Sequence, residues 1–441
     1  MGIYMPEKLT PPVIYRDNDG NGGENKKGKR KPRRKAQYAR STAASTVVKP
    51  ERSFAGLRKS DIFITGGFDV PFFALVIIIL SVGLVMLFSA SYPYAYFKYG
   101  DSYHFFLKQF IFAAAGVIIM LVVSKLNFKI FKAITPYLLA VTLFLLVLVL
   151  FYHTNVATDE GEQFKRYIRV PGIGQFQPSD VAKFTLVVTL ASYFSMFAAK
   201  IKKFKYGFIY PGIIIGIFCL LILLENHMSG TIIVGVIGFS LMLTGGSNKK
   251  IMLLLLGLVV ALVFAVLMFP EIFPKYIQTK LEAFSNKDFE PLGARWQTNN
   301  SLYAIGSGGL FGVGLGNSKQ KYMYVSQPQN DFIFSIVCEE LGFIGAVFII
   351  LLFAALVIRG FIIALRINDK FASLTVIGII TQVGVQVAFN ILVVTDSIPN
   401  TGISLPFFSY GGTALIMLLF EMGVVLAISR RSNQKKVQID E

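Results

Sequence analysis

The chain has 441 residues, of which 54% are hydrophobic and 15% charged, with a formal net charge of +18 and a mean hydropathy of +0.60. Such a balance excludes an ordinary soluble domain, which cannot shelter so much apolar side chain from water, and two cysteines are too few for a disulfide framework. It does not point to nucleic acid either, because much of the basic excess sits in one stretch, Lys26 to Arg40, that reads KKGKRKPRRKAQYAR and has no apolar face.

Residues 1–64 are therefore expected to form a basic, disordered cytoplasmic segment. It would be drawn to the anionic leaflet by about 1 kcal/mol for each Lys or Arg near the surface. No small-residue cleavage pattern precedes the first apolar block near Val70, so the first helix is expected to be retained. Ten blocks follow, over 70–91, 105–123, 134–152, 179–197, 209–224, 230–245, 251–268, 331–358, 372–394 and 408–428. Blocks of roughly 17–25 apolar residues cross a hydrocarbon core as helices, whereas a β-barrel would alternate. The expected fold class is an all-α membrane protein, a polytopic bundle of about ten transmembrane helices. Cys219 and Cys338 fall inside such blocks and read as small buried hydrophobes. The fifth and sixth blocks are short and only Glu225 to Ser229 separates them, so a tight hairpin of two crossings and a partly re-entrant pair both fit.

Cations in the short loops set the orientation. Lys125, Lys129 and Lys132, then Lys200, Lys202, Lys203 and Lys205, then Lys249 and Lys250, then Arg359, Arg366 and Lys370 follow even-numbered blocks. Those loops and both termini, including the tail 431–441, are expected in the cytoplasm. Two longer segments, 153–178 and 269–330, then lie outside, and the second is long enough to carry function.

Polar residues at membrane depth are costly unless paired or facing a cavity. Asp180 and Lys183 lie three apart at a helix start marked by Pro178 and Ser179, either as an ion pair that steadies the helix or as a charged face for an anionic lipid headgroup. The glycine-rich run 301–317 lacks a Gly-Lys-Ser/Thr ending and suits a close-packed backbone better than a nucleotide loop. Asp331 opens the eighth block, either as a helix cap or as a carboxylate made more basic by burial, with Glu339 and Glu340 deeper in the same block. Two prolines and three glycines within 398–413 imply a broken lead into the last helix.

Four of these stretches, FQPSDVAK (176–183), AIGSGGLFGVGLGNSKQK (304–321), NDFIFSIVCEELGFIG (330–345) and PNTGISLPFFSYGG (399–412), occur in this order. Together the chain from about 65 to 430 resembles the SEDS family of FtsW, RodA and SpoVE, with 100–106 and the GLGNSKQK run more similar to the FtsW and SpoVE branches. The resemblance implies a peptidoglycan glycosyltransferase that polymerises lipid II at the outer face of the cytoplasmic membrane. Its partners would be a class B penicillin-binding protein and other division or elongation proteins, at the septum if the role is division. Asp331 corresponds to the family's essential outer-face aspartate, and Asp180 and Lys183 to its Glu and Lys. Asn330 and Gln329 replace the usual Thr and His, and Asp396 stands where glycine is common.

Glycan growth requires a sugar hydroxyl to attack an anomeric carbon as a lipid diphosphate leaves. A positioned carboxylate accelerates that step by roughly 10²–10⁴-fold, and Asp331 is the expected base. Lys183 and Arg166, with Arg295, are expected to stabilise the diphosphate, and Asp180, Gln297, Glu340 and Ser409 complete the expected substrate-binding set. A divalent cation, Mg or Mn, would serve the same end, although no residue spacing marks a cage for one. The competing functions are a lipid-linked precursor flippase or proton-coupled transporter of the same topology and a scaffold that only recruits a transpeptidase.

Overall fold

The computed structural model describes residues 66–152, 156–157, 163–164, 166–170, 174–272, 275–287, 290, 293 and 295–437. The basic segment expected over 1–64 lies outside them. The helices are α1 Val70–Tyr99, α2 His104–Val123, α3 Lys129–Phe151, α4 Pro178–Met196, α5 Tyr210–Leu224, α6 Met228–Gly245, α7 Lys249–Met268, α8 Lys275–Ser285, α9 Trp296–Gly308, α10 Ile333–Leu365, α11 Lys370–Val394 and α12 Gly412–Val437. Between α3 and α4 stand two small antiparallel hairpins, β1 (Val156–Ala157) with β2 (Gln163–Phe164) and β3 (Ile168–Val170) with β4 (Gly174–Phe176).

Among the described residues, nine helices are long and apolar enough to cross a membrane. The tenth expected crossing, 179–197, is α4. At 19 residues and 1.5 Å per residue it is about 28 Å long, but Asp180, Lys183 and several hydroxyl residues dilute its apolar character. It tolerates them because it is central: α4 packs against α3, α5, α6, α11 and α12, and Ala182 to Ser192 are buried without a break. Block length therefore found the helix, while its neighbours make a lipid-facing surface unnecessary.

The fifth and sixth blocks are each long and apolar enough as helices to cross a membrane. A π-helical turn over Lys205–Ile209 extends α5 to a 20-residue span, and α6 is an 18-residue span. The eighth is not one straight helix. Gly342 adopts φ 68°, ψ −171° and breaks α10 two turns in. The glycine-rich loop mends the break. Val313 N–H donates to Glu339 O at 2.9 Å, Gly314 N–H to Glu340 O at 3.1 Å, and Phe343 and Ile344 N–H donate back to Gly309 O and Leu310 O at 2.9 and 3.1 Å. Four backbone groups freed by the kink thus regain partners from the loop. Only glycine allows the approach, since a Cβ on Gly308 would stand 2.0 Å from Cys338 O and one on Gly312 2.2 Å from Glu340 O.

One end of the bundle is tied at Asp69. Its carboxylate caps α1 by accepting from Phe72 N–H at 3.0 Å and receives Nε and Nη2 of Arg359 on α10 at 2.9 and 2.8 Å, while its own N–H reaches Ser429 on α12 at 3.0 Å. The final helix continues to Val437, so most of the tail expected over 431–441 is helical backbone.

Candidate active site

The hairpin before α4 builds one wall. Ile168 pairs with Phe176, and this register carries Tyr167 and Arg166 back beside the first turn of α4. Arg166 lies 5.5 Å over the Tyr167 ring. In that first turn Lys183 Nζ meets Asp180 Oδ1 at 2.8 Å, both side chains largely buried. The lining of a small cleft of about 60 Å³ includes Asp180 and Lys183, Gln382 and Gln386 of α11, and Ser409 and Tyr410 from the segment before α12.

Asp331 stands outside that lining, next to the segment that carries Ser409, whose hydroxyl donates to Asn330 O. The cap position of α10 belongs to Phe332, which makes no side-chain cap bond, so the capping role open to Asp331 in the sequence is not the one it takes. Asn390 of α11 fixes its backbone, donating through Nδ2 to Asp331 O and Ile403 O at 2.7 Å each. Gly402, at φ 68°, faces the carboxylate, and a Cβ there would lie 3.2 Å from Oδ2. Burial raises the Asp331 carboxyl above its ordinary range, against the opposing pull of Arg166 and Lys280. Asp331, Arg166, Asp180 and Lys183, separated by up to 165 positions, therefore share one electrostatic neighbourhood.

The other expected binding residues stand elsewhere. Glu340 is fully buried in a separate network, with Oε1 2.7 Å from Lys321 Nζ and both oxygens accepting from Ser89 Oγ, at 2.8 and 2.6 Å. Lys321 is its cation, the backbone N–H of Ser318 also points to it, and the sealed pair has no face for a substrate. Arg295 is 2% exposed and engages Asp396 Oδ2 at 2.6 Å and Ala283 O. Gln297 donates to Ser326 O at 2.8 Å. Ser409 lines the cleft, but its hydroxyl donates to Asn330 O and accepts from Leu405 N–H, both at 2.8 Å, bracing the loop that carries Asp331.

Several residues at the site went unmarked in the sequence. Lys280 lies on α8, a short helix reading KYIQTKLEAFS, whose amphipathic mix of polar and apolar residues was the available signal. Glu225 and His227 occupy the α5–α6 turn. Glu225 is 0% exposed and burial pushes its carboxyl up to about 8, with Arg166 lowering and Asp180 raising it. His227 is held well below its ordinary value by burial and by Arg166 and Lys183, with Nδ1 3.2 Å from Gln177 Nε2 and 3.3 Å from Ser179 Oγ. Beneath the cleft, Gln382 Nε2 donates to Glu421 of α12 at 2.9 Å.

Residues 70–434 match the FTSW_RODA_SPOVE family, described as "Cell cycle protein". The chain is similar to stage V sporulation protein E of Bacillus subtilis, 37% identical over 368 residues, 82% of this chain and 97% of that protein. A probable peptidoglycan glycosyltransferase FtsW of Geobacter sp. strain M18 is 34% identical over 365 residues, covering 83% and 97%. Among solved structures, Thermus thermophilus rod shape determining protein RodA superposes with a TM-score of 0.60 at 26% identity, covering 82% and 97%. A chain from "Structural coordination of polymerization and crosslinking by a peptidoglycan synthase complex" reaches 0.67 at 24% identity, covering 83% and 99%, and shares the fold. With the motifs, the multi-pass bundle and the match across 70–434 agreeing, the chain belongs to the FtsW, RodA and SpoVE family of membrane proteins.

Proposed function

We propose that the chain is a peptidoglycan glycosyltransferase that polymerises lipid II, with Asp331 as the general base. The observation that carries the reading is a carboxyl raised by burial and set opposite Arg166 and Lys280, in a chain whose relatives include proteins named probable peptidoglycan glycosyltransferases. In the step we derive, the sugar 4-hydroxyl attacks the anomeric carbon, its proton passes to the Asp331 carboxylate as the new C–O bond forms, and the bond to the lipid diphosphate breaks. Elevated basicity makes Asp331 a better acceptor than an ordinary carboxylate. Charge then develops on the diphosphate, which Arg166, Lys183 and Lys280 would stabilise as cations near Asp331 and Asp180.

Cation-rich short loops place both termini in the cytoplasm in this reading, so that Asp331 and the hairpins work outside, while the lipid tail stays in the bilayer beside the cleft. A class B penicillin-binding protein is the proposed partner for crosslinking, and division or a related wall-building event the proposed setting. Among the described residues no three His, Cys, Asp or Glu side chains gather to hold a metal, and the groups round Asp331 are mainly cations. A Mg or Mn ion would therefore arrive on the diphosphate and not in a protein cage, and no step is derived through it.

The test is chain growth from lipid II by the purified protein with its partner in detergent. Glycan products from the wild type, and none from Asp331→Asn that still inserts and binds the partner, support the assignment; unchanged growth in that variant removes it. Transport of lipid II across liposomes without growth would favour the flippase reading, for which Gln382 and Glu421 beneath the cleft are the supporting observation.

A further inference from the structure

Glu225 has no part in the step above, yet its placement is unusual. The turn between α5 and α6, with Asn226 at φ 57°, turns its side chain wholly inward, and neither carboxylate oxygen meets a hydrogen-bond donor. Two charged groups face it from other elements, Arg166 from the segment before β3 and Asp180 from the first turn of α4. On its own turn His227 faces Arg166 and Lys183 and stays neutral among them. Asp180 is engaged by Lys183 at 2.8 Å, which leaves Arg166 as the cation that both Glu225 and Asp331 address.

A carboxylate taken out of water without a donor does not hold its charge well and keeps its proton instead. While Glu225 is neutral, the positive field of Arg166 acts on Asp331 and on any anion held near the guanidinium. Once Glu225 ionises, its buried negative charge competes for the field of the same guanidinium. An incoming diphosphate reverses that balance, because two negative groups next to one cation favour the state in which the protein's own acid is protonated.

We propose that Glu225 is a positioning residue that keeps Arg166 available to the lipid-linked diphosphate, holding a proton while that ligand is bound and weakening its binding when ionised. This rests on the assignment of the diphosphate to Arg166 under the proposed function. Binding and proton uptake are then linked: each diphosphate bound above the ionisation of Glu225 brings up to one proton into the wall of the site.

Farnesyl diphosphate, whose own ionisation is complete above neutrality, serves as the probe for the purified full chain in detergent. Between about pH 7 and about pH 9.5 the wild-type dissociation constant rises above about pH 8 by up to about tenfold per pH unit, the limit for one linked proton. Glu225→Gln, neutral throughout, keeps a flat profile and binds more tightly than wild type at the alkaline end. Parallel slopes in the two proteins overturn the proposal. Should the variant fail to fold, calorimetry of the wild type in two buffers of different ionisation enthalpy reads the same linkage. Proton uptake on binding at about pH 8.5 supports it and none overturns it. Absence of saturable binding, or binding indifferent to Arg166→Gln, overturns the underlying assignment of the diphosphate and this proposal with it, whereas parallel slopes with Arg166-dependent binding overturn this proposal alone.

Discussion

Arg295 Nη2 lies 2.6 Å from Asp396 Oδ2, and Nη1 of the same guanidinium donates to Ala283 O at the end of α8. The pair fastens α8 to the turn that follows α11, and α8 carries Lys280 toward Asp331. Asp396 sits at φ 52°, in the left-handed region that glycine enters freely and an aspartate enters at a cost. In this chain the strained position is used to present a carboxylate to Arg295.

Removing that carboxylate strands a guanidinium that is 2% exposed. Asp396→Ala keeps the strain as well and is expected to cost about 3–5 kcal/mol, whereas Asp396→Gly relieves about 1 kcal/mol of backbone strain and is the less damaging change. Thermal unfolding in detergent ranks the two. Equal stability would show that the φ 52° conformation is relaxed at this residue.

With Asp331 as the proposed base, polymerisation is expected to fall as pH drops through its ionisation, and burial sets that acid limb above the ordinary carboxylate range. Arg166 opposes the rise. Arg166→Gln therefore moves the limb of kcat/KM to higher pH, and Lys280→Gln moves it in the same direction by less, in the order of their effects on Asp331. A limb that shifts to lower pH in Arg166→Gln would contradict the charge arrangement.

The Glu225 proton also couples to folding. Its value is raised in the folded chain, so the folded state binds a proton that the unfolded chain has lost, and stability falls as pH climbs from the ordinary glutamate value to about 8. Glu225→Gln removes this slope. Its melting advantage over wild type is expected to grow across that window by up to about 1.4 kcal/mol per pH unit and then level off.

Lys321 and Glu340 have side chains with 0% exposure. Lys321→Met alone leaves a buried carboxylate without its cation and is expected to cost about 3–5 kcal/mol, while Lys321→Met with Glu340→Leu recovers most of the loss. Denaturation of the single and double variants gives the coupling directly. The acid limb for glycan growth should stay where it is in the double variant, because neither group faces Asp331.

The glycine-rich loop offers an internal comparison. A methyl on Gly308 meets the Cys338 carbonyl at 2.0 Å, whereas one on Gly306 meets nothing within 4 Å. Gly308→Ala should destabilise by about 1–3 kcal/mol or more, since backbone cannot move aside, and Gly306→Ala, inside α9, should stabilise by about 0.5–1 kcal/mol.

The nine apolar spans, α4, and the motif stretches with Asp331, Asp180 and Lys183 were legible because each depends on residues close in sequence. A run of apolar side chains must be a buried helix wherever it packs, and an acid three residues before a lysine on one helix will meet it. The break in α10 at Gly342 was not legible, because its cause lies in backbone some thirty residues earlier. The pairing of Glu340 with Lys321 was not legible for the same reason, since no local pattern says which cation will reach a buried carboxylate.

By itself, then, the sequence determined a membrane-spanning helical chain, its family, and which stretches carry charge toward one face, all consequences of hydrophobic run length and local spacing. Only the tertiary structure decided which charges meet. Arg166 came to stand before Asp331 and Glu225, Arg295 before Asp396, and Lys321 before Glu340, because Coulombic pairing in a water-poor interior depends on distances that packing alone sets.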